Sequence, residues 1–394
     1  MKEIIQQKLN QAIGLLQELN IDCWMTFVRE TSQIHDPALD LILGFGLTWD
    51  SALIVTKAGE KIAIVGRYDG DNIRKLEAYD QVLTYDTAIR PLLREQMTRI
   101  NPQSIGLNYS LNDTGSDGLT FGMYARLVQL LGDTPYPSRF VSADGIVRRL
   151  RERKSETEVA RIKIAVAKTQ QVYEMMFDLP LKGMTEKQVH QITGDFVKHA
   201  ECDFGWERIN NPMVNAGPNS SIGHGIPDDL VIEPGQLVHF DMGLRNNGYC
   251  ADLQRDAYVL RDGESAAPEA VQKAWTACWA ALEAGKAALK AGVICYEVDA
   301  AARNTLVQAG YPEFMHAFGH HVGRVVHDGG NVLGPRWEKY NNLPYTQVEP
   351  NSVYAIELGV LLPEYGYIGI EENVLVTESG AEYLSEPQRE LMLI

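Results

Sequence analysis

The sequence predicts an α+β protein in two parts, and three observations carry that reading. Over residues 1–150, short strand-like runs alternate with stretches of helical periodicity, as they do in an α/β domain. Over residues 151–394, long helical patterns are interleaved with apolar strand-like runs, several of which hold carboxylates. At 394 residues the chain is long enough for both parts to bury a core of their own.

Hydrophobic residues make up 45% and charged residues 22%, the profile of a globular and not a disordered chain. Asp and Glu number 52 against 36 Lys and Arg, so the formal charge is -16. Nucleic acid and anionic membrane demand a basic surface, so neither is expected as a partner, whereas divalent cations suit this balance. Glu3, Gln6 and Gln7 interrupt the apolar core a secretory signal would need, and no run reaches the length of a membrane span. A cytoplasmic protein is therefore expected. The five cysteines, Cys23, Cys202, Cys250, Cys278 and Cys295, are scattered without a C-x-x-C pair and predict reduced thiols. Cys250, beside Asp252, reads as a small buried packing residue.

Taken in order, apolar residues at Ile5, Leu9, Ala12, Ile13, Leu16 and Leu19 predict an amphipathic opening helix that Asn20 ends. Strands are expected at 23–28 and 41–45, then a hairpin of SALIV and KIAIV around the turn 57–60. A short strand at 105–107 and a helix at 118–131 complete the first part. His35, Asp36, Asp40, Trp49 and Asp50 form its only polar and aromatic grouping, explained by loop capping and surface exposure, with Trp49 free to line a pocket. The basic run 148–154 is expected to be a solvated connector. Ser155 with Glu158, and Thr185 with Gln188, spell capping boxes that open two helices, the second running to about residue 200. On that second helix His190 and His199 are isolated, structural or exposed residues. Strands follow at 212–215, 237–242 and 249–259, then Ala-rich helices at 268–291 and 297–308, and last strands at 353–361 and 367–377. Trp275 and Trp279, at i and i+4, read as core.

Within this second part stand Asp241 and Asp252, eleven residues apart around the turn formers Gly243, Asn246, Asn247 and Gly248. Adjacent strands would bring them face to face, where two carboxylates repel unless a proton or cation lies between them. His320, Glu357 and Glu371 join them, with His224, His316 and His327 as further candidates. Glu357 lies between VYAI and LGVLL, and Glu371 between YIGI and NVLVT; carboxylates in such strands are costly unless paired, hydrogen-bonded or metal-bound. Each of these residues alone also fits a turn, a core hydrogen bond or the surface. Gly319, Gly323 and the β-branched Val322, Val325 and Val326 argue against a helix around His320.

The second half resembles the pita-bread metallopeptidases, the group that contains aminopeptidase P, prolidase and methionine aminopeptidase. Five positions match that family's ligand set in order: Asp241 in VHFDMG, Asp252 in GYCADLQR, His320 in HAFGHHVG, Glu357 in AIELG and Glu371 in IGIEENV. His224, His316 and His327 match its outer histidines, and only the resemblance selects His320 over His321. The first 150 residues are similar to the extra domain of aminopeptidase P, prolidase and creatinase. The resemblance thus implies a catalytic pita-bread domain over 151–394 and an N-terminal creatinase-like domain serving substrate closure and dimer contacts in a homodimer.

Four carboxylates and one imidazole make an oxygen-rich set suited to two divalent ions, manganese foremost, with cobalt, zinc and iron as alternatives. By resemblance, Asp252 and Glu371 bridge the ions, Asp241 binds one, and His320 with Glu357 binds the other. The implied reaction is hydrolysis of Xaa-Pro bonds, in dipeptides or at the N-terminus of short peptides, through a metal-bridging hydroxide. Glu357 would pass a proton to the leaving nitrogen, His224 and His327 would hold the oxyanion or substrate, and His316 would line the pocket. Three positions depart from the proline-specific pattern: D-x-T-R is D-L-Q-R with Gln254, E-P-G is Glu357-Leu358-Gly359, and the arginine two residues before the last glutamate is Gly369. These departures bear on the proline preference more than on the metal centre. Two alternatives remain on this fold, a metal-dependent hydrolase of a small non-peptide C–N substrate and a non-catalytic binding module.

Overall fold

The chain divides into two compact units, Met1–Ser155 and Glu156–Ile394. The computed structural model describes residues 1–223 and 225–394; His224 lies outside the described residues.

The first unit opens with α1 (Lys2–Leu19), which buries Ile5, Leu9, Ala12 and Leu16 on one face and ends at Asn20 in the left-handed conformation. A six-stranded sheet follows, built from β1 (Cys23–Val28), β2 (Ser51–Thr56), β3 (Lys61–Gly66), β4 (Gln81–Tyr85), β5 (Ile105–Leu107) and β6 (Phe140–Ser142) in the order β4-β3-β2-β1-β5-β6. The hairpin of β2 and β3 forms as expected. Helices α2 (Leu39–Ile42), α3 (Arg67–Leu76), α4 (Arg90–Ile100), α5 (Phe121–Leu131) and α6 (Asp144–Glu152) complete the unit, of which α3, α4 and α6 were not anticipated.

Two expectations fail here. Residues 41–45 are no strand: Asp36 Oδ1 caps the backbone N–H of Ala38 at 2.9 Å, one helical turn follows, and Gly44 at φ 81° ends it. A short apolar run has too few residues for its period to distinguish helix from strand. The basic run 148–154 is not a solvated connector either. It forms the buried end of α6, where Arg151 and Lys154 are 3% exposed and Arg148 pairs with the fully buried Glu152 at 2.8 Å. Lys8, itself buried, donates to the carbonyls of Leu150 at 2.6 Å and Arg153 at 2.9 Å, taking up acceptors that the helix end leaves open.

The second unit begins with α7 (Glu156–Phe177) and α8 (Glu186–His199), the latter opened by the full Thr185–Gln188 capping box. His190 is half-buried with Nδ1 on the Pro212 carbonyl at 2.9 Å, a structural role, and His199 is exposed. The expected strand 249–259 is broken at Ala251 and Asp252 into two pieces. The strands are β7 (Asp203–Phe204), β8 (Met213–Ala216), β9 (Leu237–Met242), β10 (Leu244–Asn246), β11 (Tyr249–Cys250), β12 (Leu253–Tyr258), β13 (Gly319–His321), β14 (Val353–Leu362), β15 (Gly366–Val376), β16 (Ala381–Tyr383) and β17 (Met392–Leu393). Asn247 and Gly248, at φ 50° and 79°, make the two-residue turn between β10 and β11.

The main sheet runs β13-β14-β15-β12-β9-β8. Helices α9 (Glu269–Ala288) and α10 (Cys295–Gln308) bury Trp275, Trp279, Cys278 and Cys295 against it, in one core with Tyr354, Ile356, Ile368 and Ile370. Side chains alternate along a strand, so with these apolar residues turned to the helices, Glu357 and Glu371 of the same strands share the opposite face. The five cysteines are free and Cys250 is fully buried. Among the described residues no helix is long and apolar enough to cross a membrane.

Candidate metal centre

Strand register places the acidic residues side by side. Asp241 on β9 lies opposite Gln254 on β12, Gln254 opposite Glu371 on β15, and Glu371 opposite Glu357 on β14. This row crosses four strands on one face of the sheet. Asp252 precedes Gln254 by two residues and so keeps to that face; it sits just ahead of β12, where its backbone N–H donates to Asn373 Oδ1 at 3.0 Å. His320 on β13 lies opposite Ala355, two residues before Glu357.

Asp252, His320 and Glu371 converge, each offering a ligand atom within 4.8 Å of the others. His320 Nε2 is 3.6 Å from Asp252 Oδ2 and 3.6 Å from Glu371 Oε1. Burial, with His327 adding to it, lowers the pKa of His320 to about 4, so the ring is neutral near pH 7. Its Nδ1 faces the His321 carbonyl at 3.3 Å, and a carbonyl only accepts. Nδ1 therefore holds the proton, and the Nε2 lone pair looks at two carboxylates. His321, next along the strand, points the other way and is buried, with Nε2 on Asn331 Oδ1 at 2.9 Å and its ring on Tyr354.

The carboxylates are short of compensation. Burial pushes Asp241 up to about 7, with Glu357 raising it further and His239 opposing. Asp252 and Glu371 are held well above the usual carboxylate range, first by burial and then by charge repulsion, from Asp241 and Glu357 on Asp252 and from Asp252, Glu357 and Asp241 on Glu371. Asp241 Oδ1, Asp252 Oδ1 and Glu371 Oε2 are buried without a hydrogen-bond partner. Three carboxylates with an orphaned oxygen each, two of them beside the imidazole lone pair, make a donor set that fits divalent cations, which take acceptors from several sides.

The remaining candidates are less tightly gathered. Glu357 is partly buried and accepts from Gln254 Nε2 at 3.1 Å. His327 is exposed, its ring edge-on to His320 with centroids 4.4 Å apart. His316 is exposed, its ring 5.5 Å from that of Phe314.

A family model for metallopeptidase family M24 matches residues 160–378, more than half of the sequence and all of the converging residues. The chain belongs to this family. Among M24 relatives and peptidases of similar sequence, it is 26% identical over 341 residues to an uncharacterized peptidase of Staphylococcus saprophyticus, covering 85% of this chain and 87% of that one. It is 26% identical over 286 residues to the Xaa-Pro dipeptidase of Pyrococcus furiosus, covering 72% and 77%. Its fold is that of a solved Xaa-Pro dipeptidase from Bacillus anthracis (TM-score 0.77, 22% identity, 99% and 100% covered) and of an X-Pro aminopeptidase from Thermotoga maritima (TM-score 0.74, 23%, 98% and 99%). The pita-bread architecture expected for this M24 chain, with its additional N-terminal domain, is thus observed.

Sequence reasoning missed Asn373, which holds the Asp252 backbone, and the pair His239–Asp256, joined Nδ1 to Oδ1 at 2.9 Å beside the row. A count by twos finds all of them: Asn373 is two residues from Glu371, and His239 two from Asp241, so each shares the metal face. Trp49, free by sequence to line a pocket, does line one in the first unit, a cavity of about 320 Å³ shared with Arg29, Asp50, Tyr85 and Arg126.

Proposed function

We propose that the protein is a metal-dependent peptidase that hydrolyses Xaa-Pro bonds, in dipeptides or at the N-terminus of short peptides. The convergence of Asp252, His320 and Glu371 around orphaned buried oxygens carries the reading, since a deep acidic cluster needs a proton or a cation and a neutral imidazole turned to it favours the cation. Membership of family M24 and similarity to a relative named Xaa-Pro dipeptidase supply the reaction class and the bond.

In this reading Asp252 and Glu371 would be shared by two divalent ions, Asp241 would hold one of them and His320 with Glu357 the other; we take the ions to be manganese. Bound there, such ions acidify water and polarise a carbonyl oxygen. The protein's own groups do the rest. Glu357, steadied by the Gln254 amide, accepts the proton released at the site and delivers it to the departing proline nitrogen. His327, beside His320, donates toward the developing oxyanion, His224 shares that task, and His316 lines the pocket. The working form is a cytoplasmic homodimer in which the N-terminal unit, residues 1–150 by sequence, serves closure over the substrate and dimer contacts.

The test is hydrolysis of Xaa-Pro dipeptides and tripeptides by Mn(II)-loaded protein, with Asp252→Asn alongside. Turnover that EDTA abolishes is expected, as is a loss of more than about 100-fold in Asp252→Asn, beyond the 10–100-fold typical of residues behind a ligand. Absence of turnover in a sample shown to carry metal would rule the reading out.

A further inference from the structure

Gln254 occupies the middle of the acidic row and is 7% exposed. Its Nε2 donates to Glu357 Oε2 at 3.1 Å. A carboxylate only accepts, so this bond decides which end of the amide is which, and Oε1 must face away from Glu357. There it lies over Gly369. A Cβ at that position would collide with Gln254 Oε1 first, then with His239 Cε1 at 2.5 Å and Tyr367 Cε1 at 2.8 Å. Gly369 is the clearance that the carboxamide requires.

Gln254 Oε1 is buried and receives no hydrogen bond. Neighbouring donors are committed elsewhere: the Gly369 N–H goes to Asp256 Oδ2 at 3.0 Å, and His239 Nδ1 to Asp256 Oδ1 at 2.9 Å. The converging ligands do not serve it either: with metal bound, the carboxylates, Glu371 opposite Gln254 included, are ionised and only accept. Asp252 and His320 lie on the opposite side of the row from Gly369, two residues back along β12 and opposite Ala355. A buried carbonyl left without a protein donor is costly, and it calls for a donor that enters the cleft, a water in the empty enzyme and a substrate group when peptide displaces it.

Charge on this face selects the ligand. The ionisable groups that alternation places on it beside Gln254 are His239, Asp241, Asp252, Asp256, Glu357 and Glu371, while Arg255 alternates to the other side and pairs with Glu372 at 3.0 Å. Tyr367 alternates to this face as well, with its hydroxyl toward Gly359, and it is the neutral donor there; the carboxylates outnumber it, so a substrate N–H is matched on this face better than a second carboxylate would be. On the same side Tyr367 is partly exposed and Leu361, opposite it, is 49% exposed, so solvent reaches the strands just beyond Gly369.

We propose that Gln254 is a specificity-determining residue whose Oε1 accepts a hydrogen bond from an N–H of the bound peptide, with Gly369 as its obligatory clearance. The inference rests on the peptidase reading above. The N–H belongs either to the amino terminus or to an amide beyond the proline, and the probes separate the two sources. Mn(II)-loaded wild type and Gln254→Met, which keeps the volume and removes the acceptor, are compared on Ala-Pro, Ala-Pro-amide and propionyl-Pro, by turnover and by calorimetric binding. In the wild type one ratio is expected to favour the donor by on the order of tenfold or more, amide over acid or amine over des-amino, and to collapse toward unity in Gln254→Met. A general loss of activity from loosening Glu357 scales all three probes alike and moves neither ratio.

If both ratios are the same in wild type and variant, the proposal is overturned even though the peptidase reading stands. If binding shows the collapse while no probe is hydrolysed, the donor site stands and the peptidase reading falls. Gly369→Ala is expected to lower Tm, and Gln254→Ala combined with it to recover part of that loss, the His239 and Tyr367 contacts remaining; a Gly369→Ala protein that melts like wild type, or a double variant that recovers nothing, would place Oε1 elsewhere and overturn the proposal.

Discussion

His320 and His321 are chemically identical neighbours with opposite duties, and strand alternation alone separates them. The first turns a neutral Nε2 to Asp252 and Glu371; the second turns inward to Asn331 and Tyr354. Substituting them should give opposite signatures. His320→Ala is expected to lose metal, read by elemental analysis after dialysis, with little change in the melting of the metal-free protein. His321→Ala leaves a buried cavity beside Asn331, whose Oδ1 keeps the Tyr354 hydroxyl, and should cost about 1–3 kcal/mol of stability in denaturant unfolding while metal content holds. Equal metal loss in both variants would contradict the assignment. Sequence spacing left this choice open, because two adjacent histidines differ only in which side of the strand they occupy, and β13 was not anticipated.

At the scale of elements, the centre depends on β12, β14 and β15 holding register. Asp252 lies in the break between β11 and β12, without ladder bonds of its own, and Asn373 on β15 takes up its backbone N–H. Tyr173 on α7 donates to the Leu253 carbonyl at 2.6 Å from behind, so the segment is held at both ends. Asn373→Ala should therefore cost about 1–3 kcal/mol for the stranded buried N–H, and weaken metal binding by about 10–100-fold through the freed Asp252. Calorimetric titration of the EDTA-treated protein with Mn(II) measures the second effect, and an unchanged affinity would refute it. The strands carrying Asp241, Glu357 and Glu371 were legible because each is a run of apolar residues with turn formers at its ends. The helices α3, α4 and α6 were not, since their sequences are rich in charged residues, and α6 owes its burial to partners such as Lys8, 142 residues away from Leu150.

For the molecule as a whole, the buried carboxyls make the metal-free state sensitive to pH. Asp241, Asp252 and Glu371 have folded pKa values above their unfolded ones, so between those values the folded chain holds more protons than the unfolded chain. Their contribution to stability is full at low pH and is lost as pH rises through the folded values, about 7 for Asp241. His320 works oppositely: lowered to about 4 from 6.5, it contributes stability gained as pH rises across that interval and constant above it. Above pH 6.5 only the loss remains. Metal binding needs the ligands deprotonated and relieves their repulsion. The rise in Tm on adding Mn(II) to EDTA-treated protein should therefore be larger at about pH 8 than at about pH 6. A rise independent of pH would show that these carboxyls are not the ligands.

The sequence by itself determined the two-part architecture, the strands of the second unit and the identity of the acidic residues, because a carboxylate inside an apolar run is unfavourable enough to mark itself wherever it occurs. It also determined the Thr185–Gln188 cap, whose bonds span three residues. Only the tertiary structure decided what those residues do together. Register, which a local pattern cannot specify, set Asp241, Gln254, Glu371 and Glu357 in one row, chose His320 over His321, and laid the Gln254 amide over Gly369. Gln254 and Gly369 are 115 positions apart in the chain and adjacent in the sheet, so what looked by sequence like two separate departures is one fitted pair.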